Sequence, residues 1–160
     1  MTVKTQLTEK DFINANFTML LSRPFTKIIL GLICFLIIVS LITPFFIAGA
    51  SYNSAIGPFI MILVVSALTY SAAKKNYASN ARIREAVEFI FDKDEIQLKG
   101  QSYTTQFSWD KLHKLSQTKN WVFIWHSNQV AYPILKKDFD ALQLAELKEM
   151  ATNHRIKNNL

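Results

Sequence analysis

From residue 28 to residue 73 the chain carries no Asp, Glu, Lys, Arg or His, a run of 46 residues in a chain of 160. A soluble domain of this length rarely goes so far without a charge, so the gap constrains the fold before any other feature does. Twenty-seven residues precede it and 87 follow it. Its first part, residues 28–48, reads IILGLICFLIIVSLITPFFIA, and fifteen of these are Ile, Leu, Val or Phe. About twenty residues rising 1.5 Å each cross a hydrocarbon core of about 30 Å. At about −0.3 to −0.6 kcal/mol per apolar residue, the fifteen favour insertion by roughly 5–9 kcal/mol. Gly31, Ser40, Thr43 and Pro44 subtract from that without reversing its sign. Pro44 is expected to kink or end the helix near the far interface, where freed carbonyls reach water.

The second part, residues 55–73, reads AIGPFIMILVVSALTYSAA and is weaker, with eight Ile, Leu, Val or Phe. Gly57-Pro58 suits a helix start. Ala67 and Ser71 form a small-xxx-small pair and are the expected contact with the first helix. Between the two runs stands GASYNS, residues 49–54, without a charge. Arg23 and Lys27 flank the entrance; Lys74, Lys75, Arg82 and Arg84 flank the exit. The positive-inside rule then puts the GASYNS turn outside and both termini in the cytoplasm. Two other readings fit less well. Ala48-Gly49-Ala50 has the look of a signal-peptide cleavage site, but the run is too long and 27 residues, Glu9 and Asp11 among them, precede it. A buried hairpin of a soluble protein would need more than 87 residues to cover two wholly apolar helices.

The net charge of +6 is modest and gathers beside the apolar run, which marks a membrane-flanking collar and argues against nucleic-acid binding. Cys34, inside the first run, is the one cysteine, so neither an intrachain disulfide nor a cysteine metal site can form.

Outside the gap the periodicity changes. Residues 1–27 are expected to hold a short strand over 3–7 and a helix over 9–21, the helix opened by Thr8 and Asp11 and presenting Ile13, Phe17, Leu20 and Leu21. Residues 74–160 read first as a stalk, then as short strands alternating at period two. These are VEFIF, a return through Ile96 and Leu98, a face of Tyr103, Thr105, Phe107 and Trp109, then WVFIWH and VAYPIL. Pro133 cannot donate to a ladder, which places its strand at an edge or a bulge. Asp140 and Gln143 open a last helix, with Phe139 and Leu144 as a staple and Leu144, Leu147 and Ala151 on one face, a lid for an open sheet. The fold class is therefore α+β: a two-helix transmembrane hairpin (28–48 and 55–73) plus a small antiparallel β-sheet domain closed by a C-terminal helix. Five strands are legible, with residues 3–7 a candidate for another.

The stretches VEFIFDKDEIQL, FSWDKLHKLSQTKNWVFIWHS and LKKDF resemble the YcxB-like family of bacterial membrane proteins. The family's Ile-Pro-Lys-Arg-x-Phe motif reads here Ile134-Leu135-Lys136-Lys137-Asp138-Phe139, with Leu for Pro and Lys for Arg. The resemblance implies a pleckstrin-homology-like domain on the cytosolic side of the bacterial inner membrane, and it implies no defined activity. Such folds often bind phosphoinositides through the first hairpin loop. Here that loop is Asp92-Lys93-Asp94-Glu95, net negative, which repels phosphate. Lys136 and Lys137 are the better candidates for lipid headgroups or an acidic partner, although a basic pair ahead of a helix is commonly just solvated surface.

No catalytic constellation is visible. His113, His126 and His154 share no metal-ligand spacing, and no Gly-rich phosphate loop exists. Trp121 and Trp125 are candidates for a ligand pocket, with sheet core as the plainer reading. The expectation is a non-catalytic membrane protein without cofactor, contacting membrane lipids and engaging a protein partner or forming a homo-oligomer. An immunity protein shielding the inner membrane from a toxin is the alternative, and a lipid or small-ligand sensor is the second.

Overall fold

A computed structural model of the chain describes residues 1–49 and 52–160; Ala50 and Ser51 of the GASYNS turn lie outside the described residues. Two units are formed, one of Asn16–Asn76 and one of Met1–Ala15 with Tyr77–Leu160.

The first unit is helical. It takes the end of α1 (Glu9–Ser22), all of α2 (Pro24–Phe46), a 3-10 turn at Tyr52–Ala55, and most of α3 (Ile56–Ser79). Pro24 sits at the start of α2, where its missing N–H has no intrahelical partner to lose. Pro44 lies just inside the far end, and α2 stops two residues later at Phe46, with the Ile47 N–H closing on the Thr43 carbonyl at 3.0 Å. The proline thus marks the helix end, as expected. α3 runs on through Lys74 and Lys75 to Ser79, the expected stalk. Pro24–Phe46 and Tyr52–Ser79 are each long and apolar enough to cross a membrane. Phe25, Phe45 and Phe46 are 72%, 78% and 82% exposed.

The least exposed positions of α2 include Thr26, Leu30, Ile33, Ile37, Ser40 and Pro44. On α3 they include Pro58, Ile62, Ser66, Thr69 and Ala73. Steps of three and four describe the narrow seam of paired helices. Ala67 and Ser71 are exposed, so the small-residue contact expected there is not made. The seam follows Ser66, Thr69 and Ala73 on the neighbouring stripe.

The second unit holds two antiparallel sheets. One has the order β1 (Thr2–Thr5), β2 (Val87–Phe91), β3 (Glu95–Lys99), β4 (Thr104–Ser108). The other has the order β5 (Lys114–Gln117), β6 (Trp121–Trp125), β7 (Ala131–Leu135). β1 pairs with β2, Val3 opposite Phe89 and Thr5 opposite Val87, so the first strand joins a sheet whose other members all follow the helices. Period-two alternation turns Val3, Phe89, Phe91, Ile96 and Leu98 into one core with Leu115, Val122, Ile124 and Ile134 of the second sheet. A short helix α4 (Ala81–Arg84), capped by the Asn80 side chain, leads into β2.

Helix α5 (Ala141–Asn153) closes the core with Leu147 and Ala151, both fully buried. It opens on the expected reciprocal cap: Gln143 N–H donates to Asp140 Oδ1 at 2.7 Å, and Asp140 N–H donates to Gln143 Oε1 at 3.0 Å. Thr8 and Asp11 make the same exchange at the start of α1. There the buried residues are Phe12, Ile13 and Ala15, whereas Leu21, placed by the sequence on that face, is 48% exposed. Pro133 lies in β7, an edge strand, as expected. β5 was not legible because KLSQ has a single buried residue, Leu115, and so no alternation.

Candidate functional site

β6 is buried along its whole length, and its two faces do different work. Val122 and Ile124 enter the main core. Trp121, Phe123 and Trp125 form a ring row on the opposite face, with centroids 6.1 and 5.9 Å apart. Trp125 Nε1 donates to Ser116 Oγ at 2.8 Å, and Lys114 Nζ sits 4.8 Å from the Trp125 ring centroid. Trp121 and Trp125 retain 4% and 1% of their surface, so both rings are packed inside the unit. The remaining buried apolar residues of this unit outside the main core are Leu7, Phe12, Ile13, Ala15 and Leu135.

Lys136 and Lys137 begin a 3-10 turn that ends at Asp138. The turn is anchored structurally: Lys136 N–H donates to the Asn120 carbonyl at 2.9 Å, and Thr5 Oγ1 donates to Asp138 Oδ2 at 2.6 Å. Lys137 is exposed and Lys136 half-buried. Leu135 pairs with Trp121 across the β6–β7 ladder, which sets the lysine pair just beyond the start of β6.

Of the residues expected to flank the membrane, Lys27, Lys74 and Lys75 are exposed and Arg23 stands at the start of α2. Arg84 is exposed as well, and its backbone carbonyl accepts from Gln6 Nε2 at 3.2 Å. Arg82 lies over the Tyr103 ring, 5.4 Å from its centroid.

That contact belongs to a corner the sequence did not single out. Phe107 stacks on Tyr132 at 6.0 Å and meets the His126 ring edge-on at 5.8 Å. Beside them, Glu85 accepts from Ser102 Oγ at 2.5 Å and from Ser102 N–H at 2.8 Å. The Ser102 hydroxyl, then its N–H, hold the Glu85 carboxyl below its ordinary range. Burial pushes the Tyr103 phenol up, and the Glu85 charge adds to that. Gly100 makes the close approach possible: a Cβ there would lie 2.6 Å from Tyr103 Cε1 and 2.9 Å from Glu85 Oε2. The corner thus gathers three half-buried rings, Tyr103, Phe107 and Tyr132, beside an exposed arginine. The one available signal was the Tyr-x-x-x-Phe spacing of residues 103 and 107, which β-strand alternation also explains.

His154 stacks on Trp109 at 5.1 Å and bonds the Lys93 carbonyl at 2.7 Å, while Trp109 Nε1 donates to the Asp92 carbonyl at 3.0 Å. The acidic β2–β3 loop is thus clasped by the end of α5. Among the described residues no group of His, Cys, Asp and Glu is arranged to hold a metal ion.

Residues 91–151 match the family described as YcxB-like protein, the resemblance the sequence motifs carried. No curated protein matches the chain. No solved structure matches it.

Proposed function

We propose that the chain is a membrane-anchored, non-catalytic binding protein whose β-domain lies in the cytosol and engages a protein partner or a second copy of itself. The observation that carries this reading is the pairing of β1 with β2. β1 precedes both apolar helices and β2 follows them, so both flanks of the hairpin must lie on one side of any membrane. A single crossing would tear the sheet apart. The two helices therefore cross together or not at all, and their outward-facing apolar side chains favour crossing. Lys27, Lys74 and Lys75 beside the helix ends favour the cytosol for the domain.

Four antiparallel strands, three antiparallel strands and a closing helix support a pleckstrin-homology-like reading of the domain. Tethering by a hairpin confines it to the membrane plane and raises its effective concentration toward partners there. Its half-buried aromatic corner and its histidines, engaged in ring packing at 126 and 154, support binding over bond-making. The test is full-length protein expressed in bacteria with a cytosol-active reporter after Leu160. Activity of that reporter, retention of the chain in carbonate-washed membranes and recovery of a multimer or partner are expected. A soluble chain, an externally placed reporter, or a monomer that captures nothing would refute the reading.

A further inference from the structure

The two sheets have four outer edges, and the backbone groups along them can be accounted for one by one. At β5, the outward N–H of Leu115 donates to the Lys157 carbonyl at 2.9 Å and that of Gln117 to Asn159 Oδ1 at 3.1 Å, so the C-terminal tail covers that edge. At β7, the bond from His126 N–H to the Val130 carbonyl sets the alternation, which turns Pro133 outward, where it has no N–H to offer. At β1, the outward Thr2 carbonyl accepts from Gln143 Nε2 of α5 at 3.0 Å. Each of these edges is covered or blunted in a way that natural sheets use against unwanted pairing.

β4 is different. Gly100 N–H donates to the Tyr103 carbonyl at 2.8 Å, so alternate residues, Thr105 and Phe107, bond inward to Leu98 and Ile96. The backbone groups of Thr104 and Gln106, and the N–H of Ser108, face outward. Thr104, Gln106 and Ser108 are exposed, and no bond to their outward side forms among the described residues. The strand TTQFS has no charge, proline or glycine to discourage an incoming strand.

We propose that the β4 edge pairs with the β4 edge of a second copy of this chain, antiparallel about a two-fold axis at Gln106. This rests on the tethered, self-associating reading above and names its surface. The register is self-complementary. Each Gln106 donates to and accepts from its counterpart, and each Ser108 N–H meets the partner's Thr104 carbonyl. Symmetric pairing sets every residue opposite its mirror position, so a charge at 106 would face itself; an amide instead forms a ladder. Thr104 and Ser108 bring hydroxyls together at both ends. Confinement to one plane raises the effective concentration that such a short strand requires.

The test uses full-length protein in native membranes, in a Cys34→Ser background, because Cys34 is an exposed free thiol. A short bis-maleimide should convert Gln106→Cys largely to a covalent dimer. Gln97→Cys, on the same face one strand inward, would stand about 14 Å from its mate at about 4.8 Å per strand and should stay at background. Adding Gln106→Lys to the otherwise native chain should shift its sedimentation in detergent from dimer to monomer, with its tryptophan-monitored melt unchanged. A monomeric native chain without cross-linking at 106 overturns the proposal. A dimer that ignores Gln106→Lys also overturns it, while leaving self-association standing at another surface. A monomer that loses a captured strand-donating protein on Gln106→Lys assigns the edge to that occupant and overturns the two-fold. Carbonate extraction of the same membranes reads the tether separately: a chain released as soluble protein fails the membrane reading whatever the cross-linking shows.

Discussion

Thr5→Val tests whether the first strand is held in the domain by more than its ladder. Thr5 is 4% exposed and its hydroxyl donates to Asp138 Oδ2 at 2.6 Å, 133 positions further along the chain. A hydrogen bond to a charged group contributes about 1.5–3 kcal/mol. Valine keeps the shape and returns about 0.8 kcal/mol by burying a methyl in place of the hydroxyl. The net cost should be about 1–2 kcal/mol, or roughly 4–8 °C in Tm for each kcal/mol in a domain of this size. The assay is denaturant titration of full-length protein in detergent, followed by tryptophan fluorescence. All three tryptophans lie in the β-domain, buried to 1%, 4% and 1% at Trp109, Trp121 and Trp125, so the signal reports that unit without the helices. The cycle with Asp138→Asn should show coupling of about 1 kcal/mol or more. Fully additive substitutions, or a Thr5→Val variant as stable as the parent, would refute the tie.

Three further outcomes are expected. Leu147→Ala, at a fully buried position of α5, should cost about 2–5 kcal/mol, whereas Leu142→Ala, 82% exposed on the same helix, should stay within about 0.5 kcal/mol in the same titration. Gly100→Ala should lower Tm, because its methyl meets the Tyr103 ring and the Glu85 carboxylate; Gly100→Ala combined with Tyr103→Ala should recover part of the loss. Glu85 has a folded pKa below its unfolded one, so its contribution is present above the unfolded pKa and is lost as pH falls through the folded value. Ser102→Ala, which takes away the hydroxyl and keeps the N–H, should weaken that acid-side dependence in melts followed against pH.

The helices were the most legible part of the chain because a charge-free run long enough to span a bilayer has few other destinies. The strands with two or more inward apolar residues, such as VEFIF and WVFIW, declared themselves through period two. β5 did not, since Leu115 alone faces the core and its other bonds go to a tail more than forty residues on. The seam of α2 and α3 was misplaced by one stripe because the small-residue spacing of Ala67 and Ser71 carries no information about which side meets a neighbour. The pairing of β1 with β2 and the corner around Phe107 and Tyr132 depend on long-range juxtaposition, which local periodicity does not encode. Trp121 and Trp125 were visible as aromatic, but only the fold reveals that both rings are taken out of solvent.

The interleaved order of strand, helix pair and sheet also governs how the chain is made. Thr2–Thr5 leaves the ribosome before the helices and cannot meet its partner strand until Val87–Phe91 emerges, after both apolar helices have been synthesised. On the proposed membrane reading, a nascent chain that threads only one helix would leave Thr2–Thr5 across the bilayer from Val87–Phe91. On that same reading, completion of the sheet reports that the hairpin went in whole, and a chain that fails it leaves the β2 edge without its partner strand.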